Sequence, residues 1–460
     1  MKEPVLVIIG NGITGITVAR SIRKQFKEVR IRIISEETDY FFSRPALMYI
    51  YMGHMKAKQT EPYERWFYDE NRMELIRGRV ESLDPAGSVQ LASGQKVDFD
   101  YLVLATGSLP NRFGWPGEDL DGVQGLYSMQ DLENLETWTR RGIDHAVIVG
   151  GGLIGIELAE MLHTRGIPST FLVREDHYWG NILPAEESSL VQNEIEKHHV
   201  GLKLRTELKS IEADSSGRAA AVLTSDGERI QANFVGLTAG VSPNLSITHA
   251  SLETARGYLV DDRFRTSVER VFAAGDCAQF RKHDGSPGPL EQLWYTGKMQ
   301  GEALGKILGH RIQKEHGLTL RSDISDGQPE PEDASYDRGI WFNSAKFFNL
   351  EYQTYGFVPA TPGTEHTFYW QHPGKSVCFR MVWDGEADSG AVTGFNVLGI
   401  RYRQEVCQRW IAEKRSPEYV MKNLKEANFD PEFFERPEKK IVKAFKAQRR
   451  GAAAAASQAH

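Results

Sequence analysis

Three glycines near the start of the chain, Gly10, Gly12 and Gly15, follow the spacing G-x-G-x-x-G. Chemistry at such a site is done by the backbone. Gly10 permits a tight turn, Gly12 lets the main chain approach a pyrophosphate, and Gly15 lets a helix close onto a strand. The helix that starts there offers unpaired N–H groups and a partial positive charge to phosphate oxygens. Further on, Ser35-Glu36-Glu37 supplies carboxylates, and an acid so placed can take the ribose hydroxyls of an adenosine. The same glycine spacing returns as Gly150, Gly152 and Gly155.

The elements that must hold these residues are legible around each copy. Val5–Ile9 is an unbroken apolar run, as expected of a strand buried on both faces of a parallel sheet. Ile16–Phe26 continues at helical period, and Ile31–Ile34 reads as a second strand. Around the second copy, Val147–Val149 reads as a strand, Ile156–Arg165 as a helix and Ser169–Val173 as a further strand. Each copy also has a similar closing segment, Leu102–Asn111 in the first and Val235–Asn244 in the second. A repeat on this scale implies two stacked dinucleotide-binding units and two dinucleotides.

With 460 residues the chain has room for about three domains. Its 40% hydrophobic content suits a globular enzyme with ample core. A net charge of −7 gives no reason to expect nucleic acid. No apolar run approaches the ~20 residues of a membrane span, and the first strand begins too early for a signal peptide, so a cytoplasmic location is expected. The cysteines, Cys277, Cys378 and Cys407, form neither a close redox pair nor a zinc pattern. His198-His199 is expected at a solvated helix end, because adjacent helical residues point different ways and no further metal ligands follow.

Elsewhere, helices are expected near Met129–Arg141, Ala185–His199 and Tyr295–Leu308, with a charged linker over Gly309–Ser335. An aromatic-rich third domain opens at Gly339 with Ile340-Trp341-Phe342, runs through strands near Thr367–Tyr369, Val377–Val382 and Val392–Leu398, and continues in helices from Gln404 and Pro417. Lys439–Arg450 reads as a surface or domain-packed helix, because its apolar face of Ile441, Val442 and Phe445 is too small for a lipid anchor. The low-complexity end Gly451–Ser457 is expected to fray.

The paired glycine motifs, together with Ala105-Thr106-Gly107 and Ala274-Gly275-Asp276, resemble the pyridine nucleotide–disulfide oxidoreductases over residues 4–310. The loop Ser43-Arg44-Pro45-Ala46-Leu47 and the Gly339–Phe342 opening are most similar to the NAD(P)H-dependent ferredoxin and rubredoxin reductases of that family. The resemblance implies an α/β fold with two Rossmann-like dinucleotide-binding domains and a C-terminal α+β domain. It divides the chain into an FAD domain at 1–113 and 243–325, an NAD(P) domain at 114–242, a C-terminal domain at 335–436 and a tail at 437–460. FAD would be held by Gly10, Gly12, Gly15, Glu36, Arg44, Ala105, Thr106, Gly107, Gly275 and Asp276, with Asp276 on the ribityl chain. Trp294 would also help to bind the cofactor, and helix Tyr295–Leu308 after it would aim its N-terminus at the flavin. NADPH or NADH would be held by Gly150, Gly152, Gly155, Gly240 and either Arg174 or Glu175.

Two departures from the family pattern stand out. The loop from Ser43 to Tyr49 has no cysteine pair, so it excludes a dithiol relay at that place. The lysine that usually ends this loop, and pairs with a glutamate in the second motif, is replaced by Tyr49, while the glutamate is kept as Glu157. Glu157 then either reaches the nicotinamide amide itself or takes Lys56 as its new partner. The resemblance implies hydride transfer from NAD(P)H to FAD N5 and onward electron transfer to a ferredoxin or rubredoxin, and it allows a homodimer. The alternatives are reduction of a quinone or dioxygen, and a non-catalytic redox-sensing flavoprotein.

Overall fold

The computed structural model describes residues 3–321, 334–387, 389–429 and 436–458, with side chains described as far as Arg450. Contacts divide the chain into two units. The first comprises Met1–Phe113, Gln124–Gly142 and Ala239–Arg338; the second comprises Gly114–Val123, Ile143–Thr238 and Gly339–His460.

The first unit is built on a five-stranded sheet in the order Val271–Ala273, Tyr101–Leu104, Val5–Ile9, Arg30–Ser35 and Met73–Arg77, with every neighbouring pair parallel. Val5–Ile9 lies near the middle and is buried throughout, which explains its unbroken apolar run. Helix Ile13–Gln25 packs on helix Trp294–His316. Their closeness comes from glycines four apart, each facing one turn of the first helix. A Cβ on Gly301 would lie 2.8 Å from Thr14 O, one on Gly305 would lie 2.3 Å from Ser21 Cβ, and one on Gly309 would meet the Gln25 amide. Thr14 Oγ1 also donates to Gly297 O at 3.0 Å. The Trp294–His316 helix ends at left-handed Gly317. The expected linker therefore starts later than Gly309, because the glycine register keeps these turns packed; residues 322–333 of that linker lie outside the described residues.

The second unit repeats the sheet plan as Gly201–Leu204, Ser169–Val173, Ala146–Val149, Phe234–Leu237 and Val123–Gln124. It also contains a five-stranded antiparallel sheet in the order Phe342–Phe347, Leu350–Gly356, Ala391–Leu398, Cys378–Asp384 and His366–Gln371. The sequence pattern missed the strands Phe342–Phe347 and Leu350–Gly356. Helices Gln404–Ala412, Pro417–Asn423 and Glu438–Gln458 follow. The last of them buries Ile441 and Phe445 among the aromatic core residues of this part, with Phe445 edge-on to Phe368. It is thus packed against its own domain, and it runs unbroken through the segment expected to fray. Among the described residues, no helix is long and apolar enough to cross a membrane.

Candidate functional site

The two glycine turns have nearly the same shape. Gly10 and Gly150 have φ of +113° and +111°, in a region open to glycine and closed to nearly every other residue. Gly12 and Gly152 cap their helices in extended conformation, with no side-chain cap. A Cβ on either would meet nothing within 4 Å. A Cβ on Gly15 would lie 2.0 Å from Gly10 O, and one on Gly155 would lie 2.6 Å from Gly150 O. Each turn therefore closes on its own carbonyl and leaves free space before a helix start whose first turn carries no acid. That shape fits a pyrophosphate.

Around the first turn the fit extends to side chains. Asn11 is buried, and its Oδ1 has no hydrogen-bond partner. Glu36 stands exposed just past strand Arg30–Ser35. Gly275, at φ +81°, comes so close to Thr14 that a Cβ would lie 2.5 Å from its Oγ1. Ala105, Thr106 and Gly107 follow the parallel strand Tyr101–Leu104, and Thr106 Oγ1 donates to Asn244 O at 2.7 Å. The closing segments of the two repeats pair with each other, Ser108–Pro110 against Val241–Pro243, with Gly240 next to Asn111.

One polar chain joins the rest of this site. Arg44 donates to both oxygens of Glu37, Nη1 to Oε1 at 2.9 Å and Nη2 to Oε2 at 2.6 Å. It also donates to Tyr127 O, with its guanidinium 4.4 Å above the Tyr127 ring. Tyr127 Oη accepts from the Ser108 N–H. Ser108 Oγ donates to Asp276 Oδ2 at 3.1 Å and accepts from Gln292 Nε2 at 2.8 Å. Burial pushes the Asp276 carboxyl above its ordinary range, opposed by the Ser108 hydrogen bond and the Arg44 charge. A carboxylate in that state gains from further hydroxyl donors. Arg44 and Asp276, both singled out in the sequence, are thus joined through Glu37, Tyr127, Ser108 and Gln292, to which the sequence reading assigned no such role. Only Glu37, beside Glu36, carried a signal.

Trp294 opens its helix and is 37% exposed. Tyr49 is equally exposed and stacks on His54, while Lys56 is also exposed. The structure places these in the first unit and Glu157 in the second.

In the second unit, Tyr178 donates its hydroxyl to Gly152 O at 3.3 Å. Glu157 lies on helix Leu153–Thr164, half-buried and with no protein partner among the described residues. Burial first, and the charge of Glu160 second, push its carboxyl up to about 7. Past strand Ser169–Val173, Arg174 Nε donates to Glu175 Oε1 at 2.9 Å, and Asn181 donates to the same oxygen at 3.0 Å. Arg174 is largely exposed and Glu175 mostly covered. Arg205, at the end of the neighbouring strand Gly201–Leu204, donates its backbone N–H to Glu175 O and keeps an exposed side chain.

The cysteines are all free and buried. His198 is only partly exposed and stacks on Phe348 at 4.2 Å, so it belongs to a packed junction and not to a solvated helix end. No group of three or more metal-ligating side chains occurs among the described residues.

Residues 4–301 match the family described as pyridine nucleotide-disulphide oxidoreductase. The chain belongs to this family. It is 32% identical over 282 residues to a rubredoxin-NAD(+) reductase of Pseudomonas putida, covering 60% of this chain and 72% of that one. It is 31% identical over 324 residues to the ferredoxin reductase component of a chlorobenzene dioxygenase from Cupriavidus sp. strain PS12, covering 70% and 77%. A solved covalent putidaredoxin reductase–putidaredoxin complex has the same fold, with a TM-score of 0.76 at 20% identity over 97% of this chain and 100% of that one. The chain is thus an oxidoreductase whose family uses a flavin and a pyridine nucleotide.

Proposed function

We propose that this chain is an FAD-dependent NAD(P)H oxidoreductase that delivers electrons to a separate ferredoxin- or rubredoxin-type protein. The observation that carries the reading is a pair of open glycine cradles in a chain without a thiol pair. Bound at the first cradle, FAD supplies hydride acceptance and release of single electrons. Gly10, Gly12, Gly15 and Glu36 hold its adenylate half, and Asp276 accepts from its ribityl hydroxyls. Arg44, fixed by Glu37 and Tyr127, orients the Asp276 end, and Ala105-Thr106-Gly107 and Gly275 line the approach. The N-terminus of helix Trp294–His316 lends partial positive charge at the flavin ring.

The second cradle, Gly150, Gly152 and Gly155, takes the nicotinamide nucleotide, and Glu157 accepts from its carboxamide. NADPH is the preferred form. Arg174 and Arg205 stand at the ends of adjacent strands where a 2′-phosphate would lie, and Glu175 is already engaged by Arg174 and Asn181. Support for a protein acceptor comes from the curated relatives, whose names pair them with rubredoxin or with dioxygenase ferredoxins.

The test is steady-state oxidation of NADPH and NADH by the FAD-loaded protein with a rubredoxin, a [2Fe–2S] ferredoxin, a quinone and dioxygen as acceptors. Catalytic efficiency at least tenfold higher with a carrier protein than with either small molecule is expected. Faster turnover with quinone or dioxygen would overturn the carrier assignment. Arg174→Ala should lower the NADPH-to-NADH ratio; an unchanged ratio in a wild type that favours NADH would assign Glu175 to the ribose.

A further inference from the structure

Glu157 is followed one turn later on its helix by Glu160, and helical positions three apart are neighbours. Glu160 is only 9% exposed, and its Oε1 accepts from Lys346 Nζ at 2.5 Å. Lys346 belongs to strand Phe342–Phe347 of the antiparallel sheet, which packs on this helix. The other strands packed on the helix, Ala146–Val149, Ser169–Val173 and Phe234–Leu237, carry no ionisable side chain. His163, one turn beyond Glu160, rests against the rings of His198 and Phe348. Buried Tyr178 is engaged with Gly152. Glu160 is therefore the charge that bears on Glu157, and Lys346, which lies across from Glu351 on the adjoining strand, is the cation paired with Glu160.

We propose that Lys346, acting through Glu160, is a positioning residue that sets the charge state of Glu157 and with it the pH range in which the nicotinamide nucleotide is held. The proposal rests on the reading of Glu157 as the carboxamide acceptor. As a carboxylate Glu157 accepts from the carboxamide NH₂ with either oxygen, and affinity falls as it takes up a proton. The anion on Glu160 disfavours a second anion beside it, and the Lys346 ammonium offsets that repulsion. Removing one partner and removing the other should therefore act in opposite directions. A role confined to joining the two parts of the unit has no such sign.

The experiment measures NADP+ and NAD+ binding to the full-length, FAD-loaded protein by titration calorimetry across pH. Lys346→Met should raise the pH midpoint of affinity, and Glu160→Gln should lower it, each by about half a unit to one unit. The double variant should return towards wild type, and Lys346→Arg should keep the wild-type midpoint. Glu157→Gln should flatten the profile. If Glu157→Gln keeps the wild-type midpoint, both the proposal and the underlying reading of Glu157 are overturned. If it flattens the profile while Lys346→Met and Glu160→Gln move together or not at all, the role of Lys346 is overturned and that of Glu157 stands. Should Lys346→Met fail to fold, Glu160→Gln alone decides: an upward or absent shift overturns the proposal.

Discussion

The two glycine cradles share a backbone and differ in what surrounds it. At the first, the carboxylates and the arginine are taken up by neighbours, Arg44 by Glu37 and Tyr127 and Asp276 by Ser108, which also accepts from Gln292. The unpartnered group there is the neutral Asn11 amide oxygen. At the second, the Glu157 carboxyl has no protein partner among the described residues, and burial, followed by the charge of Glu160, raises it to about 7. A satisfied polar network is rigid and preorganised, which suits a cofactor that stays. An unsatisfied buried group costs free energy until a ligand answers it, which suits one that binds and leaves. On the proposed assignment, one turn geometry serves a resident and an exchanging dinucleotide, according to where the neighbouring polar groups find their partners.

The largest effect expected from breaking this comparison is at Gly10. Alanine there would place a Cβ 2.0 Å from Ala105 O in a backbone conformation that alanine resists. Gly10→Ala should abolish flavin retention, seen as loss of the visible flavin absorbance in the purified protein. Gly12→Ala, whose Cβ meets open space, should leave stability within about 1 kcal/mol and weaken flavin binding only. Equal losses of fold in both variants would contradict the account of the turn.

Next comes Arg44. Its removal leaves half-buried Glu37 with the Met129 N–H in place of a charged partner and frees the Tyr127 ring. Arg44→Ala should cost about 2 kcal/mol in unfolding free energy. Arg44→Lys should restore little of it, since an ammonium cannot give the two parallel hydrogen bonds. Denaturant unfolding of the three proteins checks this, and full rescue by lysine would show that charge alone matters.

The second cradle gives a smaller effect with a pH signature. Glu157 is raised from its ordinary 4.5 to about 7 in the folded protein, so it binds its proton more tightly folded than unfolded. Its stabilising contribution is fully present below about pH 4.5 and is lost as pH rises through about 7. Glu157→Gln removes that loss. The variant should match wild type near pH 4.5 and exceed it at pH 8 by an amount on the order of 2 kcal/mol. Thermal unfolding without nucleotide at the two pH values is the measurement, and a wild type more stable than the variant at pH 8 would refute the assignment.

Both cradles were legible in the sequence because their requirements are local: a buried strand, three glycines and a helical period leave a trace at fixed spacing. The α/β fold followed from two such traces. The Gly297, Gly301, Gly305 and Gly309 register was equally periodic but reads as loop-prone composition until the facing Thr14, Ser21 and Gln25 are known. Tyr127 and Lys346 lie 83 and 186 positions from the groups they meet, and no local pattern announces such a partner. His198 was misplaced for the same reason, since the Phe348 on which it stacks comes from a hairpin far along the chain.

The smallest effect is expected at the cysteines, and it sharpens the contrast between cradles by asking whether either depends on a thiol. Cys277 lies in the first unit beside Asp276, with Sγ 3.4 Å from Leu104 O and from Ala274 O, and is fully buried. Burial raises its thiol above the ordinary range, away from the reactive thiolate. Cys378 and Cys407 are likewise fully buried, with raised thiols, in the antiparallel-sheet part of the second unit. None of the three has a reactive form to offer near neutral pH, so replacing all of them with alanine should cost packing and not chemistry. Turnover of a folded, flavin-loaded triple variant should stay within about tenfold of wild type, a limit equivalent to roughly 1.4 kcal/mol of transition-state stabilisation. Stability should fall by about 1 kcal/mol for each small cavity. A larger loss of turnover at unchanged flavin content would mean that electrons do pass through a thiol, and the direct exit from the flavin would have to be given up.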